Sequence, residues 1–174
     1  FMESAWVDSD VEIGDDADSD VQVDGKTYYI NSEEGLAWVA NQVNTGENLF
    51  IGSTIYLESG MQLDFSKKLW YPIGHSEANS FQGKFVFQNN VIKNMTTNGY
   101  YLNNEFKEEN LVKDYVGLFG YTKNATIEGS VKFVTDETTL NEGSHITTEA
   151  SYGGSLIGYA KETVFSGLSV ENHL

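Results

Sequence analysis

The feature that most constrains the fold of this chain is a short motif that occurs twice, 38 positions apart. Segments 116–121 and 154–159 read VGLFGY and GSLIGY, and the same shift superimposes Lys123 on Lys161. Self-similarity at a fixed period is typical of stacked repeats, in which each unit buries its apolar side against the next. The repeat therefore predicts a solenoid.

The segments around the repeat have the pattern of short strands. Asp24-Gly25 lies between alternating apolar residues and predicts a tight hairpin turn. The further candidate strands are 49–57, 62–65, 84–87, 91–95, 116–119, 126–134, 154–157 and 163–170. Strands this short and numerous allow a sandwich, a barrel or a β-helix, and the repeat favours the β-helix. Polar insertions are predicted at 97–114 and 136–151.

One amphipathic helix is predicted at about 32–45. Ser32 is placed to cap its N-terminus, and Gly46 can end it in the left-handed conformation. An apolar stripe at helical spacing is formed by Leu36, Val39, Ala40 and Val43. Such a stripe packs on a buried surface, so we expect the helix to cover one end of an all-β domain.

The charge of the chain excludes several classes of partner. Its 26 acidic side chains, ten lysines and complete lack of arginine give a net charge of -16. Phosphate binding needs clustered basic side chains, so we expect no nucleic-acid partner. No apolar run approaches the roughly 20 residues of a membrane span, so we expect no membrane insertion. Basic proteins, neutral glycans and cations remain compatible with this charge.

The N-terminal residues 1–20 are rich in Asp and Glu and poor in apolar side chains. Such a segment buries too little surface to offset its ordering entropy, so it is predicted to be an acidic flexible linker before a single domain at 21–174. The run from Asp8 to Glu12 lacks the Gly and Glu that a helical-hand calcium loop requires. We therefore expect weak calcium association at most, with no metal site and no cofactor.

No catalytic constellation is visible in the sequence. His75, His145 and His173 are scattered, and no metalloprotease, serine hydrolase or phosphate-loop motif occurs. Paired carboxylates could serve a glycosidase or a lyase, and the candidates are Glu58, Asp64, Glu105, Glu108, Glu109 and Asp114. The sequence brings no two of them together, so we expect no enzymatic activity.

The residues expected to contact a partner are Tyr100 and Tyr101. They lie in the polar insertion at 97–114, and inserted loops often carry binding sites. Tyr121 and Tyr159 occupy equivalent positions of the repeat, which favours a packing role for them. Tyr100 and Tyr101 are therefore predicted to be an exposed pair that binds a partner.

Three motifs in order, WYPIG at 70–74, FQGKF at 81–85 and GLFG at 117–120, resemble the GLUG-motif repeat proteins. These are exported bacterial surface proteins, and the repeat also occurs in immunoglobulin A1 protease precursors outside the catalytic domain. The resemblance covers about 29–167 and implies a right-handed parallel β-helix whose N-terminal end is capped by the helix. It departs from the family at 85–89, where the usual Asp-Gly turn is missing. It brings no catalytic residue to this chain.

The resemblance and the composition together predict a location and a role. A chain that is acidic and free of Cys and Arg fits an exported bacterial protein, extracellular or on the cell surface. We expect a non-catalytic stalk or adhesin-like module that presents loops to a host protein or glycan. The alternative is a non-catalytic or substrate-positioning part of a larger carbohydrate-active enzyme or protease. No second amphipathic helix follows the last candidate strand, so we expect that the protein continues beyond Leu174, or that this end is covered by the acidic N-terminal segment or by a second molecule in end-to-end self-association.

Overall fold

The computed structural model describes residues 11–102, 105–135 and 152–173. In these ranges the chain is mostly β, with one α-helix, α1 (Glu33–Thr45). The strands are β1 (Ile13–Gly14), β2 (Val21–Asp24), β3 (Thr27–Ile30), β4 (Thr54–Leu57), β5 (Gln62–Asp64), β6 (Lys84–Val86), β7 (Asn90–Lys93), β8 (Tyr100–Tyr101), β9 (Leu111–Val112), β10 (Tyr115–Val116), β11 (Phe119–Lys123), β12 (Thr126–Val134), β13 (Tyr152–Gly153), β14 (Ile157–Lys161) and β15 (Val164–His173).

Nine of these strands form one mixed sheet. Its order is β1-β2-β3-β4-β6-β12-β7-β5, and β15 pairs with β12. The long strand β12 pairs with β6 through its first residues and with β7 through its last. Most pairs are parallel, but β2 and β3 run antiparallel, joined by a turn that contains Gly25 at a φ of 61°. The predicted hairpin at Asp24-Gly25 is therefore confirmed.

The predicted right-handed parallel β-helix is wrong for this chain. A parallel β-helix requires neighbouring strands to run in the same direction, whereas the main sheet is mixed and β8 and β9 form a second antiparallel pair. The physical reason lies in the connections, because a turn of two residues reverses the chain and a parallel pair needs a longer crossover. The described chain is a mostly β protein with one helix, and no solenoid is assigned to it.

The two copies of the repeated motif lie side by side. Strands β11 and β14 pair in parallel, with Tyr121 opposite Tyr159 and Lys123 opposite Lys161. The backbones approach closely here, because a Cβ atom added at Gly158 would collide with the backbone of Val116 and crowd the carbonyl oxygen of Gly120. The shift of 38 positions is thus the register of a strand pair, and glycine is required where the chain leaves no room for a side chain.

Helix α1 lies within the range predicted for it. The Ser32 Oγ accepts a hydrogen bond from the Gly35 N–H at 3.0 Å, and Gly46 ends the helix with a φ of 78°. Its apolar stripe is buried in the main core, where Leu36 and Val39 have no exposed surface. The largest buried side chains of the core are aromatic, namely Phe50, Phe65, Trp70, Phe81, Phe85, Phe87 and Phe119.

The segment predicted to be a linker is described from residue 11 onward. There β1 pairs in parallel with β2, although the segment is acidic. Asp20 connects it to the helix, because its carboxylate accepts hydrogen bonds from the Ser32 hydroxyl at 2.6 Å and from the Glu12 N–H at 2.9 Å. Residues 1–10, with most of the acidic run considered for calcium, lie outside the described residues. The flexibility of the segment stays a prediction.

Candidate partner-binding site

The insertion predicted at 97–114 forms a small antiparallel unit. Strand β8 pairs with β9, so that Tyr100 lies opposite Val112 and Tyr101 lies opposite Leu111. A short 3₁₀ turn precedes β9. At the base of this unit Gly99 has a φ of 118°, and a Cβ atom there would collide with the Val112 carbonyl oxygen. The backbones at Gly99 and Val112 are therefore so close together that no side chain fits at position 99. The second predicted insertion, 136–151, lies outside the described residues.

Five rings from this unit and from the loop after Trp70 form a cluster, which we call the aromatic patch: Tyr71, His75, Tyr100, Tyr101 and Phe106. Tyr71 lies at its centre, with its ring centroid 5.2 Å from that of Tyr100 and 6.4 Å from that of Phe106. Phe106 also contacts Tyr101 at 5.1 Å. On the other side, the His75 ring stacks on Tyr100 at 4.9 Å. The patch therefore joins a deep layer to a surface layer.

The exposure of the patch differs from the sequence prediction. Tyr100 was predicted to be exposed, but only 8% of its surface is accessible, because Tyr71 and His75 cover its two sides. Tyr101 is half-buried. The exposed apolar surface belongs instead to Phe106, at 51%, and Leu102, at 41%. Partner binding by Tyr100 and Tyr101 stays a prediction. Because Tyr100 is buried, it can contribute only by packing beneath the exposed rings.

Sequence reasoning missed Phe106, although a signal for it exists. Phe106 is a single aromatic residue among charged neighbours, and such a residue has no local reason to be buried. Its neighbours form an acidic rim of three exposed carboxylates, Glu105, Glu108 and Glu109, against one ammonium group. That ammonium belongs to Lys107, whose Nζ lies 3.5 Å from the Glu105 carboxylate. The acidic rim therefore has a net negative charge beside the exposed ring.

Three polar atoms, one in the patch and two in residues that precede β8 in the sequence, are buried without a hydrogen-bond partner in the described part of the chain. They are the Tyr71 hydroxyl, the Thr97 hydroxyl and the Asn98 side-chain carbonyl. Burial raises the pKa of the Tyr71 hydroxyl well above its ordinary value, and the neighbouring Tyr100 and Tyr101 add to the rise. Burial also raises the pKa of Tyr100. Both phenols are therefore protonated at neutral pH.

The loop that carries Tyr71 and His75 is attached to the end of α1 through Asn44. The buried Asn44 amide donates to the Pro72 carbonyl at 2.9 Å and accepts from the Gly74 N–H at 2.9 Å. The Asn44 backbone carbonyl lies 3.1 Å from the His75 Nε2 and accepts from the Asn79 amide at 3.0 Å. Burial lowers the pKa of His75, while its bond to Asn44 acts in the opposite direction. The helix therefore fixes the deep layer of the patch.

A second cluster contains equivalent side chains from the two copies of the repeat. The Glu77 carboxylate lies 2.8 Å from the Lys161 Nζ and 3.3 Å from the Lys123 Nζ, and these hydrogen bonds lower its pKa. Beside them the rings of Tyr121 and Tyr159 contact at 4.9 Å. Glu77 thus bridges two like charges that the strand register places side by side. The charged groups of this cluster form ion pairs with one another, so we assign the cluster a structural role.

The candidate carboxylates are placed as follows. Glu105, Glu108 and Glu109 share the loop beside the patch, whereas Glu58 follows β4, Asp64 is the last residue of β5, and Asp114 precedes β10. The Asp64 carboxylate accepts from the Ser66 N–H at 3.0 Å, so it serves a local turn. In the described ranges no group of three or more His, Asp or Glu side chains is arranged to hold a metal ion. Of the histidines, His145 and the side chain of His173 lie outside the described residues.

Comparison of the chain with known protein families, with curated proteins and with solved structures found no match. The one helix of the described ranges is too short and too polar to cross a membrane. The aromatic patch and the charge around it are therefore the features of the chain that bear on its function.

Proposed function

We propose that this chain is a non-catalytic module of a bacterial cell-surface or secreted protein and that it binds a basic host protein through the aromatic patch. The observation that carries the proposal is the exposed Phe106, which packs on Tyr71 and Tyr101 beside the acidic rim, with Leu102 exposed next to Tyr101 in the sequence. The proposed location rests on the resemblance to GLUG-motif repeat proteins and on the composition, so it is independent of the proposed binding.

The chemistry of the surface layer favours a protein over a glycan. Sugar binding needs polar side chains that converge on hydroxyl groups, next to a stacking ring. Phe106 and Leu102 carry no polar atoms, and the Glu105 carboxylate is already engaged by Lys107 and by the Asn110 amide at 3.2 Å. An apolar centre with a charged rim is instead the usual anatomy of a protein interface.

The rigidity of the patch also supports binding. Phe106 packs on Tyr101 and Tyr71, and the loop beneath is fixed to α1 by the bonds of Asn44. A ring that is already held in place loses little conformational entropy when a partner covers it. The net charge of -16 and the acidic rim would speed the approach of a basic partner.

The test is a binding array of extracellular-matrix proteins and glycans, read by surface plasmon resonance with the whole chain as analyte. We expect a basic protein of the array to bind, and Phe106→Ala to lower its affinity at least about tenfold, as removal of an interface anchor does. Ile51→Ala is the matched control, because Ile51 is apolar and 65% exposed but far from β8 and β9 in sequence. Its affinity should stay within about twofold.

Salt provides a second readout of the same site. Raising NaCl from about 0.05 M to about 0.5 M should weaken the complex, because screening removes the attraction between the acidic rim and a basic partner. The proposal fails if Phe106→Ala and Ile51→Ala bind equally, if only glycans bind, or if the interaction strengthens with salt.

A further inference from the structure

Strand β15 carries apolar side chains on a surface that its neighbour β12 keeps buried. Phe165 lies opposite Ile127, and Val170 lies opposite Val131. Ile127 has no exposed surface and Val131 has 2%, whereas Phe165 is 50% exposed and Val170 is 37% exposed. These paired side chains of the two strands therefore lie on the same face of the sheet, but those of β15 are much more exposed to solvent than those of β12.

The backbone of β15 also has an open edge in the described part of the chain. β12 is its strand neighbour there, and the Val164 N–H donates to the Ala125 carbonyl at 2.9 Å. Successive residues of a strand point their N–H and C=O groups to opposite edges, so those of Phe165 face away from β12. An edge of this kind is a template for another strand.

The charge pattern indicates what covers this edge. Segment 164–170 carries no charged side chain, in a chain whose net charge is -16. It contains neither Lys nor Pro, which often protect an edge strand, and the irregularity of its edge is limited to a register shift around Gly167, whose φ is 55°. This segment has no carboxylate with which a basic partner could form an ion pair. A second copy of the chain would be repelled by the acidic body elsewhere and can approach most closely along this neutral strand.

We infer that β15 is a self-association edge, at which two copies pair their β15 strands antiparallel about a two-fold axis. In such a pair each strand supplies the hydrogen-bonding groups that the other lacks, and the same surface serves both copies. Phe165 and Val170 of each copy then gain cover from the other. The aromatic patch lies on different strands, so the pairing and the proposed partner binding do not compete for the same residues.

The test is sedimentation velocity of the whole chain over a range of concentrations, with two matched substitutions. Phe165→Thr removes the exposed ring but keeps a residue that favours strands, and should raise the dimer dissociation constant at least about tenfold. Val164→Thr is the control. Val164 is 59% exposed, but it lies on the opposite face of β15 and its N–H is already bonded, so dimerisation should change less than about threefold.

Two further measurements complete the test. Raising NaCl from about 0.05 M to about 0.5 M should strengthen the dimer, because screening reduces the repulsion between two acidic bodies. Amide hydrogen exchange at Phe165 should slow as the dimer forms. A monomer at every concentration, or equal effects of Phe165→Thr and Val164→Thr, would overturn the inference. A monomer in which the Phe165 amide is already protected would also overturn it, since another segment of the same chain would then cover the edge.

Discussion

Replacing Asn44 by alanine should destabilise the fold more than any other single polar substitution in α1. The Asn44 side chain is 5% exposed and makes two buried bonds of 2.9 Å, to the Pro72 carbonyl and from the Gly74 N–H. Both partners are backbone groups of a buried loop. Asn44→Ala removes the side chain and leaves one donor and one acceptor without a partner.

The size of the effect follows from those two groups. Each buried polar group left unsatisfied costs about 1–3 kcal/mol, so we expect the free energy of unfolding to fall by about 2–6 kcal/mol. The loop has little freedom to find other partners. Gly74 has a φ of 89°, and a Cβ atom there would collide with the Tyr121 carbonyl oxygen, so the chain is tightly confined at this point.

Urea unfolding followed by far-UV circular dichroism measures this change. With a slope of about 2 kcal/mol per M, the midpoint should fall by about 1–3 M and the slope should stay constant. Gln42→Ala on the same helix is the control. Its side-chain amide makes only a 3.5 Å contact with the Glu47 carboxylate, so the midpoint should move by less than about 0.3 M. Equal midpoints for the two variants would show that the bonds of Asn44 do not hold the loop.

Three further predictions concern the patch and the core. Tyr71→Phe should raise the free energy of unfolding by about 1 kcal/mol, because the buried hydroxyl has no hydrogen-bond partner in the described part of the chain; a loss of stability in thermal melts would show that the hydroxyl is bonded. Burial lowers the pKa of His75 below its ordinary 6.5, so the unfolded state binds more protons just below that pH and stability should fall as the pH drops through it. His75→Phe should flatten the change in melting temperature between about pH 7 and about pH 5, and an unchanged profile would contradict the assignment. Val39→Asp buries a charge in the core and should cost several kcal/mol, whereas Gln42→Asp on the polar side of α1 should cost less than about 1 kcal/mol; similar melting temperatures would refute the burial of the stripe.

The sequence alone predicted the parts of the fold that depend on near neighbours. The Ser32 cap, the Gly46 end and the spacing of Leu36 and Val39 define α1, since each acts within one or two turns. Asp24-Gly25 defines a hairpin for the same reason. The repeat at a shift of 38 coincides with the register of β11 and β14, although the solenoid that it predicted is wrong.

The tertiary structure decided the sheet and the surface. Pairing of β8 with β9, and of β2 with β3 inside a largely parallel sheet, depends on where the chain reverses, and a shared period does not encode that direction. The sequence located the insertion that holds Tyr100 and Tyr101, but it could not tell which rings are covered. Tyr100 is buried by Tyr71 and His75, which lie at least 25 positions away, and Phe106 stays exposed on top. Burial is a sum over contacts between distant segments, so only the folded chain determines which aromatic side chain a partner can reach.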